Sequence, residues 1–177
     1  AIVCEGFRRT DGLFDIEGAL TDVKSYPFDN RYRGVIQPGD PLHDMRMRLT
    51  IDEAMTIVAV EAATDRSPFA ICVDAAPNYQ ALIGLKIEGG FTKRALARIG
   101  GVSGCTHHTE LLGRMAATAF QTMAPIRRRS ADASKIEDKP KRKPPLLGSC
   151  LAFAPDGDFA REHWPEFYEG PAPVDPS

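Results

Sequence analysis

Along DGLFDIEGALTD, Phe14, Ile16, Gly18 and Leu20 alternate with Asp15, Glu17, Ala19 and Thr21, the pattern of a strand with one face buried. HDMRMRLTID repeats it more cleanly, with Met45, Met47, Leu49 and Ile51 on one side and Asp44, Arg46, Arg48 and Thr50 on the other. His43 falls in phase with the apolar side. A turn at Asp52, Glu53 and Ala54 then leads into MTIVAVEA, so the spacing predicts a hairpin and, over residues 14–61, an antiparallel meander with one solvated face. Beyond it the period lengthens. Ala75, Ala76, Tyr79, Leu82 and Ile83 recur at helical spacing over 74–83, and FTKRALARIG predicts a short basic helix ended by Gly100 and Gly101. The strongest stripe is the last: Leu111, Leu112, Met115, Ala116, Ala119, Phe120 and Met123 line one face of a helix. Strands followed by helices give an α+β class, a small antiparallel sheet with helices packed on one face.

A chain of 177 residues with 43% hydrophobic content supports one core of ordinary size. A net charge of −2 and a pI near 6.1 give no pull toward nucleic acid or a membrane surface. No apolar run reaches the roughly 18 residues of a membrane span, and AIVCEGFRRT lacks the apolar core of a signal peptide, so a cytoplasmic protein is expected. Cys4, Cys72, Cys105 and Cys150 are widely spread, which suits reduced thiols or metal ligands better than a disulfide framework.

Texture divides the chain into three pieces. Residues 1–123 carry the periodic patterns of the α+β domain. Residues 124–148 hold eight Lys/Arg against three Asp/Glu, with four prolines, and read as a basic flexible linker. Residues 149–177 turn acidic and regain aromatic side chains, Phe153, Phe159, Trp164, Phe167 and Tyr168. That tail has the apolar surface either to close over a pocket as a lid or simply to cover a sheet face.

The polar residues at element ends carry the chemistry. Cys105 stands at the entry of the last helix, where unsatisfied N–H groups and the positive dipole end favour a thiolate. It suits nucleophilic attack or metal ligation, and equally a small buried hydrophobe. Cys72 precedes the helix of 74–83 in the same way. Of the paired histidines, His108 points more squarely at the stripe and reads as a packed, hydrogen-bonded core residue, leaving His107 at its border. His43, on an apolar strand face, is open to either reading.

The motifs HDM (43–45), SPFAIC (67–72), LIG (82–84) and GCTHHTELL (104–112) resemble the bacterial family called domain of unknown function 2889 (DUF2889) over residues 10–121. The family usually has Cys-Thr-His-Leu in the last motif, so His108 departs from it at a leucine site and His107 becomes the stronger functional candidate. A more distant resemblance is to iron–sulfur scaffolds of the NifU/IscU type, with LHDMRMRLTID, FAICVDAA and SGCTHHTELL in their three cysteine slots. Here Asp44 matches the scaffold's aspartate, while Leu42 stands at the first cysteine position and His43 at the glycine. Two thiolates are few for holding a cluster.

The set that remains, His43, Cys72 and Cys105, suits one divalent ion, zinc first and iron second, with Asp44 or His107 as a further ligand. Alternation sends His43 and Asp44 to opposite strand faces, so Asp44, His107 and Glu110 are expected as proton carriers. The implied function is metal-assisted catabolism of a small molecule, in its most concrete form a carbon–carbon lyase of retro-aldol type acting on a hydroxylated aromatic compound. The alternatives are an iron–sulfur or sulfur-transfer accessory protein and a non-catalytic binding subunit. A homo-oligomer is compatible with any of these.

Overall fold

A computed structural model describes residues 1–133, 143–144 and 146–171, with the backbone alone over 127–133. The segments read as strands are strands: β2 at Phe14–Val23, β5 at Pro41–Ile51 and, after the 52–54 turn, β6 at Ile57–Arg66. With β1 at Ile2–Arg8 they form an antiparallel sheet in the order β1-β2-β5-β6. A separate two-stranded hairpin, β3 at Phe28–Asn30 and β4 at Gly34–Ile36, fills the connection between β2 and β5. The helices α1 at Phe91–Ile99 and α2 at Thr106–Ala133 follow the sheet. The class is α+β, as the change of period from strand to helix predicts.

Phase along the strands decides what is buried. Phe14, Ile16, Gly18 and Leu20 of β2 are opposite Ile51, Leu49, Met47 and Met45 of β5, and all of these are buried. Phe14, Ile16, Leu20, Met47, Leu49 and Ile51 meet Leu111, Leu112, Met115, Ala119 and Met123 of α2 in one core. Glycine allows the close approach: a Cβ on Gly18 would lie 2.8 Å from Met115 Sδ. On the opposite face, Arg48 bridges Glu17 and Glu61 across three strands, and Arg46 pairs with Asp65. These exposed pairs keep the outer face wet and add little stability.

β1 has no counterpart in the alternation reading, because its inward positions are the small Cys4 and Gly6. A Cβ on Gly6 would meet Thr122 Oγ1 at 1.9 Å, so the helix itself demands the small residue and erases the apolar signal. The helix expected over 74–83 is instead a run of 3₁₀ turns at Ala70–Leu82 containing Pro77, which has no N–H to give to a regular ladder. Tyr79 and Leu82 still anchor it in the core. The boundary expected after residue 123 falls inside α2, which passes through Pro125 and continues to Ala133. Of the linker expected over 124–148, residues 134–142 and 145 lie outside the described residues.

The chain divides into two compact units, Ala1–Asp132 and Ala133–Ser177. Within the second, α3 at Asp158–His163 lies between 3₁₀ turns at Leu151–Phe153 and Pro165–Phe167. Phe153, Phe159 and Trp164 cluster there, with ring centroids 5.0 to 5.6 Å apart. No helix among the described residues is long and apolar enough to cross a membrane.

Candidate metal centre

The apolar columns of β2 and β5 end in polar residues on the inward face. Two positions beyond Leu20 comes Asp22, two before Met45 comes His43, and the register sets them directly opposite each other. At that end of the sheet α2 begins, bringing His107 in its first turn. Among the described residues, Asp22, His43 and His107 form the one group of three or more His, Cys, Asp or Glu whose ligand atoms all lie within 4.8 Å of one another.

The geometry within the group is specific. The backbone N–H of His43 donates to Asp22 Oδ1 at 2.7 Å, and His43 Nδ1 lies 3.0 Å from both carboxylate oxygens. His43 and His107 stack with ring centroids 3.7 Å apart and planes 30° from parallel. Partial burial works against the Asp22 carboxylate, but the hydrogen bonds from the His43 ring and backbone hold it below the usual carboxylate range. Burial pushes His107 below the ordinary imidazole value, and the neighbouring His43 pushes the same way. Asp22 is therefore ionised and His107 neutral near pH 7, the forms in which each offers a lone pair to a cation.

Cys105 immediately precedes α2. Its N–H donates to the hydroxyl of the fully buried Tyr79 at 2.8 Å, and its sulfur lies 3.8 Å from His107 Nδ1 and 3.9 Å from Met45 Sδ. It borders the group of three without belonging to it. Cys72 sits in the 3₁₀ segment, half-buried, and is not in the group. Asp44 lies on the opposite strand face from His43, between Thr21 and Arg66 in the ladder. Glu110 is exposed one turn along α2, where its charge reaches His107. His108 is fully buried: its Nε2 lies 3.2 Å from the Ala63 carbonyl and its ring 4.9 Å from Tyr79.

Asp22 is the member of the group that motif reading passed over. Continuing 14, 16, 18 and 20 brings residue 22 into phase with the inward face, but its carboxylate is half-exposed, and it is the pairing register that sets it opposite His43. The β3–β4 hairpin was equally hidden. Asn30 Nδ2 donates to the Pro68 carbonyl and Arg33 Nη1 to the carbonyls of Pro41 and Leu42, which ties the β3–β4 hairpin to both the 67–73 segment and the approach to His43. Tyr32 packs edge-on against Phe69 at 5.8 Å, and Phe69, Ile71 and Tyr32 are all exposed.

A family model described as "Protein of unknown function (DUF2889)" matches residues 1–121. No curated protein and no solved structure matches the chain.

Proposed function

For a chain that belongs to the DUF2889 family, we propose a metal-assisted enzyme of small-molecule catabolism whose ion is held by Asp22, His43 and His107. The observation that carries this reading is the convergence of a carboxylate and two imidazoles from two strands and a helix start, at the end of an otherwise apolar face. Two histidines and one carboxylate form a common donor set of catalytic zinc and of non-haem iron, with room left for a substrate oxygen. An ion would take the place of the proton now shared between His43 Nδ1 and the Asp22 carboxylate, which are 3.0 Å apart, near the roughly 3.3 Å separating two donors about 2 Å from one tetrahedral ion.

In the most concrete version the enzyme is a retro-aldol lyase acting on a hydroxylated aromatic compound. An ion held by Asp22, His43 and His107 would supply Lewis acidity toward the substrate hydroxyl. A base removes the hydroxyl proton, the carbon–carbon bond breaks, the oxygen-bearing carbon leaves as an aldehyde, and the bonding electron pair stays on the other carbon, which takes a proton back. Glu110, exposed one turn along α2 where its charge reaches His107, is the proton carrier to test. The exposed Tyr32, Phe69 and Ile71 at the same end of the sheet supply an apolar rim suited to an aromatic ring. An iron–sulfur scaffold of NifU/IscU-like topology is the rival reading and draws on Cys72 and Cys105. The hard and borderline donors of the group favour a single ion over a cluster.

The test is elemental analysis of the purified protein together with aldehyde release from aromatic β-hydroxy compounds. The expected result is one equivalent of zinc or iron, lost in His43→Ala and His107→Ala, and aldehyde release abolished by a chelator and restored by the metal. Metal content that is unchanged in both variants overturns the site. Bound sulfide in the purified protein favours the scaffold instead.

A further inference from the structure

Resting on that reading of the site, the geometry points to Cys105 as a fourth, sulfur donor, which makes the centre a mixed oxygen, nitrogen and sulfur site for a borderline-soft ion of the zinc class, not for magnesium, calcium or manganese. Three independent features place the sulfur. The backbone of Cys105 is pinned, because its N–H donates to the hydroxyl of Tyr79, a side chain with no exposed surface. The preceding Gly104 is in close contact: a Cβ there would lie 2.1 Å from the Ile99 carbonyl oxygen, so the chain has little freedom to carry Cys105 away. The sulfur itself lies over the inward column of β5, 3.9 Å from Met45 Sδ, and Met45 is the next inward residue after His43.

Distance supports ligation. A thiolate about 2.3 Å and an imidazole nitrogen about 2.05 Å from a tetrahedral zinc lie about 3.6 Å from each other. Cys105 Sγ is 3.8 Å from His107 Nδ1. The sulfur stands outside the compact group of Asp22, His43 and His107, and rotation about its one side-chain torsion is the freedom by which it can close on a bound ion. Soft sulfur beside two imidazoles discriminates strongly against ions that prefer an all-oxygen shell. Zinc accepts a fifth ligand, so a substrate oxygen can still enter beside the sulfur.

Cobalt(II) titration of the full chain tests this, because cobalt occupies zinc sites and a thiolate–cobalt bond absorbs in the near ultraviolet. One equivalent of cobalt should bind with that charge-transfer band in the wild-type protein. In Cys105→Ser the band should vanish while one equivalent still binds, with affinity lowered by more than the roughly 100-fold upper range of an outer partner. The complementary variant Cys4→Ser/Cys72→Ser/Cys150→Ser, with Cys105 as its one thiol, should keep the band, and it guards against a misfolded Cys105→Ser. Cobalt binding without the band in the wild type, or a band that follows Cys72, overturns the role of Cys105 and leaves the site standing. No cobalt binding at all overturns the site and this inference with it.

Discussion

Asp22 and His43 occupy directly opposed positions on neighbouring strands, with the imidazole Nδ1 3.0 Å from the carboxylate, at the place where both strands' buried columns run out. The backbone N–H of His43 reaches the same carboxylate. Asp22 is thus held from two directions by one residue, which fixes it where α2 delivers His107.

Asp22→Asn separates ligation from mere orientation. The amide oxygen can still accept from His43, but the negative charge is gone. If Asp22 binds the ion directly, zinc affinity in a chelator competition should fall by more than the roughly 100-fold upper range typical of outer partners. A loss of about 10-fold would make Asp22 the residue that orients His43, with the ion on the two histidines.

His108→Leu is expected to leave stability near pH 7.5 within about 1 kcal/mol of wild type. The substitution gives up the contact with the Ala63 carbonyl, but it also removes a buried ring nitrogen, Nδ1, that has no hydrogen-bond partner. Acid separates the two proteins. Burial pushes His108 below the ordinary imidazole value, so between that value, about 6.5, and its folded value the unfolded chain binds the extra proton and stability falls as pH falls. Urea midpoints from pH 7.5 down to 5 should therefore decline more steeply in wild type than in His108→Leu. Parallel curves would mean that this ring titrates alike in both states.

The strands β2 and β5 were legible because Phe14, Ile16, Met45, Met47 and Leu49 follow a strict period of two, β6 because the turn at 52–54 precedes the apolar MTIVAVEA, and α2 because its stripe runs from Leu111 to Met123. β1 was not legible, since Cys4 and Gly6 are small wherever α2 presses on the sheet. The same logic explains the site. His43 and His107 could be picked out as residue types at element ends. Asp22 could not, because a carboxylate near a strand end is usually solvated, and only the pairing register, a long-range property, puts it opposite His43. Cys72 illustrates the converse: a suggestive position before a helical segment that does not converge with the others.

Gly104→Ala should destabilise the protein by about 1 to 3 kcal/mol or more, although alanine is otherwise the mildest replacement. The backbone there is extended, so conformational freedom is not the issue. The new methyl would lie 2.1 Å from the Ile99 carbonyl oxygen and 3.4 Å from the Tyr79 hydroxyl, and a backbone atom cannot swing aside as a side chain does. Relief must come from moving the segment that carries Cys105 and His107. Chemical denaturation should register the loss of stability, and zinc affinity should fall with it. An unchanged denaturation midpoint would show that the 99–104 turn yields easily, and would remove one of the restraints placed on Cys105.

Truncation after Ala133 should leave a folded, metal-binding domain. The core runs from Phe14 to Met123, with Cys4, Ala62, Ala75 and Ile126 packed against it, so every residue in it belongs to the first unit. The three proposed ligands and Cys105 belong there too. The second unit gathers its own rings, Phe153, Phe159 and Trp164. A fragment of residues 1–133 should melt cooperatively by circular dichroism within about 4 °C of the full chain, equivalent to roughly 1 kcal/mol for a domain of this size. Its zinc affinity should match that of the full chain, since no proposed donor has been removed. A fragment that binds a hydrophobic dye and loses its near-ultraviolet dichroism would instead mean that residues beyond 133 are needed to complete the core.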